Sequence, residues 1–178
     1  MRRPFMVSTL LLLVATLATA CRHDEPVAPA AQGPSAAASI GGGDGATHRP
    51  FQGTVSGATQ FVGPCAEPGA MRVNDQGTGV VTHLGSAKLE MSGCIAMTET
   101  GFTSVGEGGG QFVAANGAAL HFTGVSASGD MRTGVAHARF LIQGGSGRFQ
   151  TAQGEYDVVT KLLPNGAWTS TLNGWISY

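Results

Sequence analysis

The stretch Leu141-Ile142-Gln143-Gly144-Gly145-Ser146-Gly147-Arg148-Phe149-Gln150-Thr151-Ala152-Gln153-Gly154 decides how this chain folds. It joins two segments of alternating polarity, Val135-Ala136-His137-Ala138-Arg139-Phe140-Leu141-Ile142 and Glu155-Tyr156-Asp157-Val158-Val159-Thr160-Lys161-Leu162. In the second, Tyr156, Val158, Thr160 and Leu162 share one face, and Glu155, Asp157, Val159 and Lys161 share the other. A period of two marks strands with one buried face. Gly144, Gly145 and Gly147 supply positive φ at little steric cost, as a tight reversal between strands demands. Phe149 follows as the first large apolar anchor, and Gly154 marks a bulge or a close backbone approach. Gly145-Ser146-Gly147 does not make a phosphate loop, because such loops need a helix behind them and here a strand follows.

Outward from this point, strand patterns recur from Phe51 onward and helical periodicity is absent. The predicted strands are Phe51–Phe61, Gly79–Leu84, Ala87–Ile95, Gln111–Ala115, Ala119–Gly124, Arg132–Gln143, Gly154–Leu163 and Trp168–Ser177. Ala115-Asn116-Gly117-Ala118 is a hairpin signal, since Asn-Gly takes the positive φ values of a type I′ turn. Leu163-Pro164-Asn165-Gly166 has the chemistry of another turn. An all-β fold follows. About eight antiparallel strands with short connections suit a single up-and-down barrel, which removes exposed edges by closing on itself. A β-sandwich is the alternative.

The N-terminal part reads differently. Met1-Arg2-Arg3 is followed by the apolar run Phe5 to Ala18, too short to span a bilayer and remain there, ending in Ala18-Thr19-Ala20-Cys21. Small residues directly before a cysteine resemble a bacterial lipobox. That resemblance implies a signal peptide at 1–20, cleavage before Cys21 and lipidation of Cys21, with palmitate-type acyl chains. The alternative is an ordinary signal peptide with an incidental cysteine. Arg22 in place of Asp implies, by the same resemblance, the outer membrane. Residues 21–50 hold Pro26, Pro29, Pro34, an Ala-rich run and Gly41-Gly42-Gly43, a composition with little to bury, so a disordered tether is expected. Residues 51–178 remain as one domain with room for a core.

Charge and cysteines narrow the classes. Without Arg2 and Arg3, 8 basic side chains face 11 acidic ones, and nothing in that balance suggests nucleic acid. Cys65 and Cys94, an even pair in an oxidising envelope, are expected to form one disulfide; a reactive thiol is the alternative. With two Trp and two Tyr, the domain cannot build the aromatic girdles of an integral outer-membrane barrel.

Gly144-Gly145-Ser146-Gly147-Arg148-Phe149 followed by Gly154 resembles the Gly-Gly-(Ser/Thr)-Gly-x-Phe…Gly signature of the allene oxide cyclase and dirigent barrel superfamily. Thr82-His83-Leu84-Gly85 is similar to a segment of uncharacterised bacterial members. Ala115-Asn116-Gly117-Ala118-Ala119-Leu120 resembles their Ala-Asn-Gly-Asp-x-Leu hairpin, with the Asp missing. The resemblance implies the barrel and a capacity for trimers or other homo-oligomers. No residues match the catalytic groups of either plant family, so their chemistry does not transfer.

Candidate chemical groups are scattered. His83 and His137 are the weak catalytic candidates, because imidazole titrates near neutral pH. No spacing shows that either meets a carboxylate, and each reads equally as an ordinary solvated or hydrogen-bonded histidine. No ligand pair at close spacing supports a metal, nothing calls for a cofactor, and no nucleophile elbow occurs. Phe112, Phe122, Phe140, Tyr156 and Trp168 are the candidate lining for a small apolar or amphipathic ligand, since eight-stranded barrels can hold one. The expected function is therefore a lipid-anchored envelope barrel that binds such a ligand without established catalysis. A cyclase- or isomerase-like enzyme and a self-associating structural protein are the alternatives.

Overall fold

The alternation seen in the sequence becomes eight antiparallel strands that close on themselves. The computed structural model describes residues 47–178; the signal-like run, Cys21 and most of the tether lie outside the described residues. The strands are β1 (Arg49–Pro64), β2 (Ala70–Val81), β3 (Gly85–Met97), β4 (Gly101–Ala114), β5 (Ala119–Asp130), β6 (Val135–Gly145), β7 (Gln153–Leu162) and β8 (Ala167–Ser177). Each pairs with its neighbour in sequence, and β8 pairs back onto β1, with Phe51 opposite Gly174 and Val55 opposite Ser170. The up-and-down barrel is thus the architecture, and the sandwich is excluded.

Closure leaves one inner face per strand, and those faces carry the core. Phe51 and Val55 from β1, Phe112 from β4, Leu120 and Phe122 from β5, Phe140 and Ile142 from β6, and Tyr156 from β7 are all buried. Their rings interlock: Phe112 and Phe122 lie 5.2 Å apart, Phe122 and Phe140 5.2 Å, and Tyr156 stacks on Phe140 at 5.2 Å. Burying such rings removes the most apolar area per residue, and their tilted contacts add to it.

The connections differ in detail from the sequence expectation. Gly144 (φ 89) and Gly147 (φ 60) do take positive φ, but Gly145 stays within β6, opposite Leu120. The connection 146–152 is not a tight reversal: it contains a 3-10 turn over Gly147–Phe149 that inserts Phe149 into the core. Gly154 causes no bulge, since the β6–β7 register is regular. It is a close approach, where a Cβ would collide with the Trp175 carbonyl on β8. At Ala115–Ala118 only Gly117 has positive φ, and Gly117 N–H bonds Ala114 O while Ala114 N–H bonds Ala118 O. That is the three-residue hairpin with a left-handed glycine rather than a type I′ turn. The turn at Pro164–Gly166 has Asn165 and Gly166 at positive φ, as its chemistry demands.

Two strands begin well before their predicted starts: β2 at Ala70 rather than Gly79, and β4 at Gly101 rather than Gln111. Asn74-Asp75-Gln76-Gly77 and Gly106-Glu107-Gly108-Gly109-Gly110 lack strand propensity; ladder partners on both sides hold Asn74–Gly77, Gly109 and Gly110 extended, while 106–108 form an irregularity in both β4 ladders. The Cys65–Cys94 disulfide is formed, with Cα atoms 6.2 Å apart, and ties the β1–β2 connection to β3. Replacing both cysteines by serine should lower unfolding stability by about 3 kcal/mol without changing the native circular dichroism spectrum. Urea denaturation of the full chain reads the loss, and the wild type with reductant should match the variant.

Candidate functional site

The up-and-down order places the connections in two sets, one at each end of the barrel. At the end where β1 starts and β8 finishes, the interior is sealed. Phe149 is buried against Tyr178 at 5.0 Å, and Tyr178 meets His83 edge-on at 5.7 Å. Arg148 lies 5.0 Å over the Phe149 ring and donates to the His83 carbonyl. His83 itself takes positive φ (67°) and its Nε2 bonds the Pro50 carbonyl at 2.9 Å. The Gly-Ser-Gly-Arg-Phe stretch and the Thr-His-Leu-Gly turn therefore build one plug. Their place is structural.

The opposite end carries exposed apolar side chains on its inward phases. Phe61 belongs to the same alternating set of β1 as the buried Phe51 and Val55, yet it is 60 % exposed. Met71 on β2, and Met97 on β3 (55 % exposed), lie in the inward sets of Val73 and of Leu89 in the same way. Phe102 on β4 pairs with Met97 and lays its ring across Gly129 on β5, where a Cβ would collide with it. Inward-facing apolar side chains that meet solvent define a mouth. Large apolar groups left accessible in a concave setting are the usual material of a ligand site.

Deeper in the mouth stands a small polar group. The Trp168 indole lies across β1 and β2, which requires glycine beneath it: a Cβ would be 2.7 Å from its ring at Gly57 and 2.8 Å at Gly77. Trp168 is buried, and among the described residues its Nε1–H is the only buried side-chain polar atom without a hydrogen-bond partner. Asp75, on the inner face of β2, accepts a hydrogen bond from the Thr59 hydroxyl. Burial pushes the Asp75 carboxyl above its ordinary value of 3.8, while Thr59 and the nearby indole N–H pull weakly the other way. The indole N–H thus senses the carboxyl without reaching it in hydrogen-bond geometry. Thr160 and Ser170 hydrogen-bond each other at 2.8 Å on the neighbouring inner faces.

Below these, Gly93, Gly124 and Ala138 keep the wall thin. A Cβ at Gly93 or Gly124 would meet only ordinary contacts, with Gly108 and, for Gly124, the Phe140 ring, at 3.5–3.6 Å, so each position has room for a small side chain. The stacked Phe140 and Tyr156 form the floor, and burial raises the Tyr156 phenol well above its usual range, keeping it neutral.

Of the predicted ligand-lining residues, Trp168 sits in the mouth and Phe140 and Tyr156 form its floor, while Phe112 and Phe122 pack in the core below. His137 is exposed on the outer face of β6, and His83 is at the sealed end, so neither meets Asp75. The charge pair Arg139–Glu155, at 2.6 Å, also lies on the outer wall and lowers the Glu155 pKa. A shallow, open depression across β2–β5 is lined by Glu90, Gln111 and His121 together with Asp75 and Met91, floored by Gly109 and Gly110, with Gln111 Nε2 donating to Glu90 at 3.0 Å. Its open form makes the mouth the stronger candidate. Among the described residues no group of three or more His, Cys, Asp or Glu side chains is arranged to hold a metal.

Sequence reasoning missed Asp75, Thr59, Phe61, Met71 and Met97. Phe61 had a signal: it continues the spacing of Phe51 and Val55 to the end of its strand. Asp75 had none, because its segment does not read as a strand.

No protein-family model matches the chain, and no curated protein matches it. Among solved structures it is similar to a pterocarpan synthase dirigent protein, at 15 % identity and a TM-score of 0.49, over 84 % of this chain and 99 % of that one.

The raised Asp75 pKa has a defined sign. The folded state holds this proton more tightly than the unfolded state does. Its stabilising contribution is therefore complete below about pH 3.8 and lost as pH rises through the higher folded value. Asp75→Asn removes that loss. The stability of the variant relative to wild type, read by urea denaturation across pH, should rise from about pH 3.8 upward and then level off. A pH-independent difference would contradict the burial of this carboxyl.

Proposed function

We propose that this chain is a cell-envelope lipoprotein whose barrel takes a small amphipathic molecule into its open mouth. The observation that carries the binding reading is the set of inward-facing but solvent-exposed side chains, Phe61, Met71 and Met97, above a buried and unpartnered Trp168 N–H. Apolar surface at the rim favours a hydrocarbon or aromatic body. The indole N–H offers a donor and the Asp75 carboxyl an acceptor, so a hydroxyl group suits the deep end: it accepts from one and donates to the other. An unsatisfied buried donor costs free energy until a partner arrives, which favours a ligand that brings an acceptor.

The envelope assignment has separate support. The Ala18-Thr19-Ala20-Cys21 sequence resembles a lipidation site, and the Cys65–Cys94 disulfide suits an oxidising compartment. Acyl chains on Cys21 would anchor the chain to a membrane, by resemblance the outer one. A self-associating structural barrel would have no use for exposed apolar groups on its inner face. A cyclase- or isomerase-like reading would rest on Asp75 as the acid, since neither His83 nor His137 reaches the mouth.

Calorimetric titration of the full chain with 1-octanol tests the binding reading. Uptake is expected, with n-octane, which lacks the hydroxyl, bound more weakly. Trp168→Phe and Phe61→Glu should each weaken octanol binding by about tenfold, or ~1.4 kcal/mol, with unchanged circular dichroism. Equal binding by both variants, or no uptake by the wild type, would remove the mouth as a ligand site.

A further inference from the structure

The rim of the mouth carries apolar side chains that the lumen does not use. Val62 follows Phe61 on the outer phase of β1 and is 50 % exposed. Met131 stands on the β5–β6 turn at 59 % exposed, and Leu163 on the β7–β8 connection at 40 %. With Phe61, Met71 and Met97 they crown one end of the barrel, Phe61 and Val62 from the end of β1 and the other four each from a different strand end or connection. We propose that this crown docks the open end of the barrel on a phospholipid surface, tips inserted among the headgroups and mouth facing the bilayer.

Three observations select a lipid surface over a protein. The crown is a ring of single projecting tips around an opening. Such a ring suits a deformable planar medium and lacks the continuous face that a protein partner would cover. Six half-exposed side chains also fall short of the ~800 Å² per partner that a stable protein pair buries. The second observation is charge: the groups around this end, Arg72, Arg132 and Lys161 against Glu67, Glu99 and Asp130, balance, and Arg132 is paired with Asp130 at 3.7 Å. Attachment would therefore run on apolar insertion, as in interfacial segments, rather than on attraction to anionic lipid. The third is reach. The chain enters the barrel at the sealed end, at Arg49. Residues 22–46 could extend up to about 80 Å, against about 40 Å for a barrel wall of 12 residues. An anchor at Cys21 would thus leave the mouth free to turn to the same membrane.

Docking is separable from ligand uptake at Val62, Met131 and Leu163, which the inner face does not use. The three rim methionines serve as reporters, because thioether oxidation follows exposure. The full chain carrying Cys21→Ser, which cannot be acylated there, is treated with dilute hydrogen peroxide with and without phosphatidylcholine vesicles, and each methionine is followed by mass spectrometry. Vesicles should slow oxidation of Met71, Met97 and Met131 by about fivefold or more and leave Met91, inside the barrel, unchanged. The protection should persist in about 0.5 M salt. The combined Val62→Glu, Leu163→Glu variant should lose it while still binding 1-octanol in solution. Unprotected rim methionines on a chain that co-sediments with the vesicles would overturn the proposal, as would protection abolished by salt. Failure to bind octanol with protection intact would count against the ligand reading alone.

Discussion

The ladder between β8 and β1 is the constraint on which everything else depends. Once Phe51 pairs with Gly174 and Val55 with Ser170, no strand edge remains, and eight inner faces must share one enclosed volume. In a barrel of this strand number, side chains can fill that volume or leave part of it for a ligand. Here the filling is uneven along the axis, and that unevenness produces the candidate site.

At the sealed end aromatic rings fill the bore, and Phe149, Tyr178 and the Arg148–His83 contact close it. Toward the other end the inner positions include Gly93, Gly124 and Ala138 beside the Trp168 indole, and exposed large apolar groups stand at the rim. Between these zones sit Asp75, Thr59 and Trp168, with the Thr160–Ser170 pair on the neighbouring inner faces. Burial raises the pKa of the carboxyl, and the indole donor has no hydrogen-bond partner. A fold selected only for stability would have replaced both with apolar side chains. Their presence together on the inner face beneath exposed apolar side chains is the physical reason to read the mouth as a candidate site.

Much of the fold was legible in the sequence because the period-two pattern and the glycine turns are local signals. Tyr156, Val158, Thr160 and Leu162 share the inner face as their spacing predicts, and Cys65 pairs with Cys94. The site was legible only in part. Trp168, Phe140 and Tyr156 stood among the candidates, but alternation gives the face of a residue and not its height along the barrel axis. Height separates Phe112, deep in the core, from Phe61, at the rim. Asp75 was hidden for a different reason: Asn74-Asp75-Gln76-Gly77 has no strand propensity and is held extended only by its neighbours. His83 drew notice as a titratable group, but its left-handed backbone and its bond to Pro50 make it a turn residue.

The measurement that reaches the central claim most directly is the nuclear magnetic resonance signal of the two indole N–H groups during titration of the full chain with 1-octanol. Trp168 lies in the mouth, and Trp175, on the outer phase of β8, stacks on His48 at 4.0 Å and serves as the internal reference. The account predicts that the Trp168 Nε1–H resonance shifts and saturates as its unmet donor gains an acceptor, while Trp175 stays in place. A Trp168 signal that never moves while octanol binds elsewhere would contradict it.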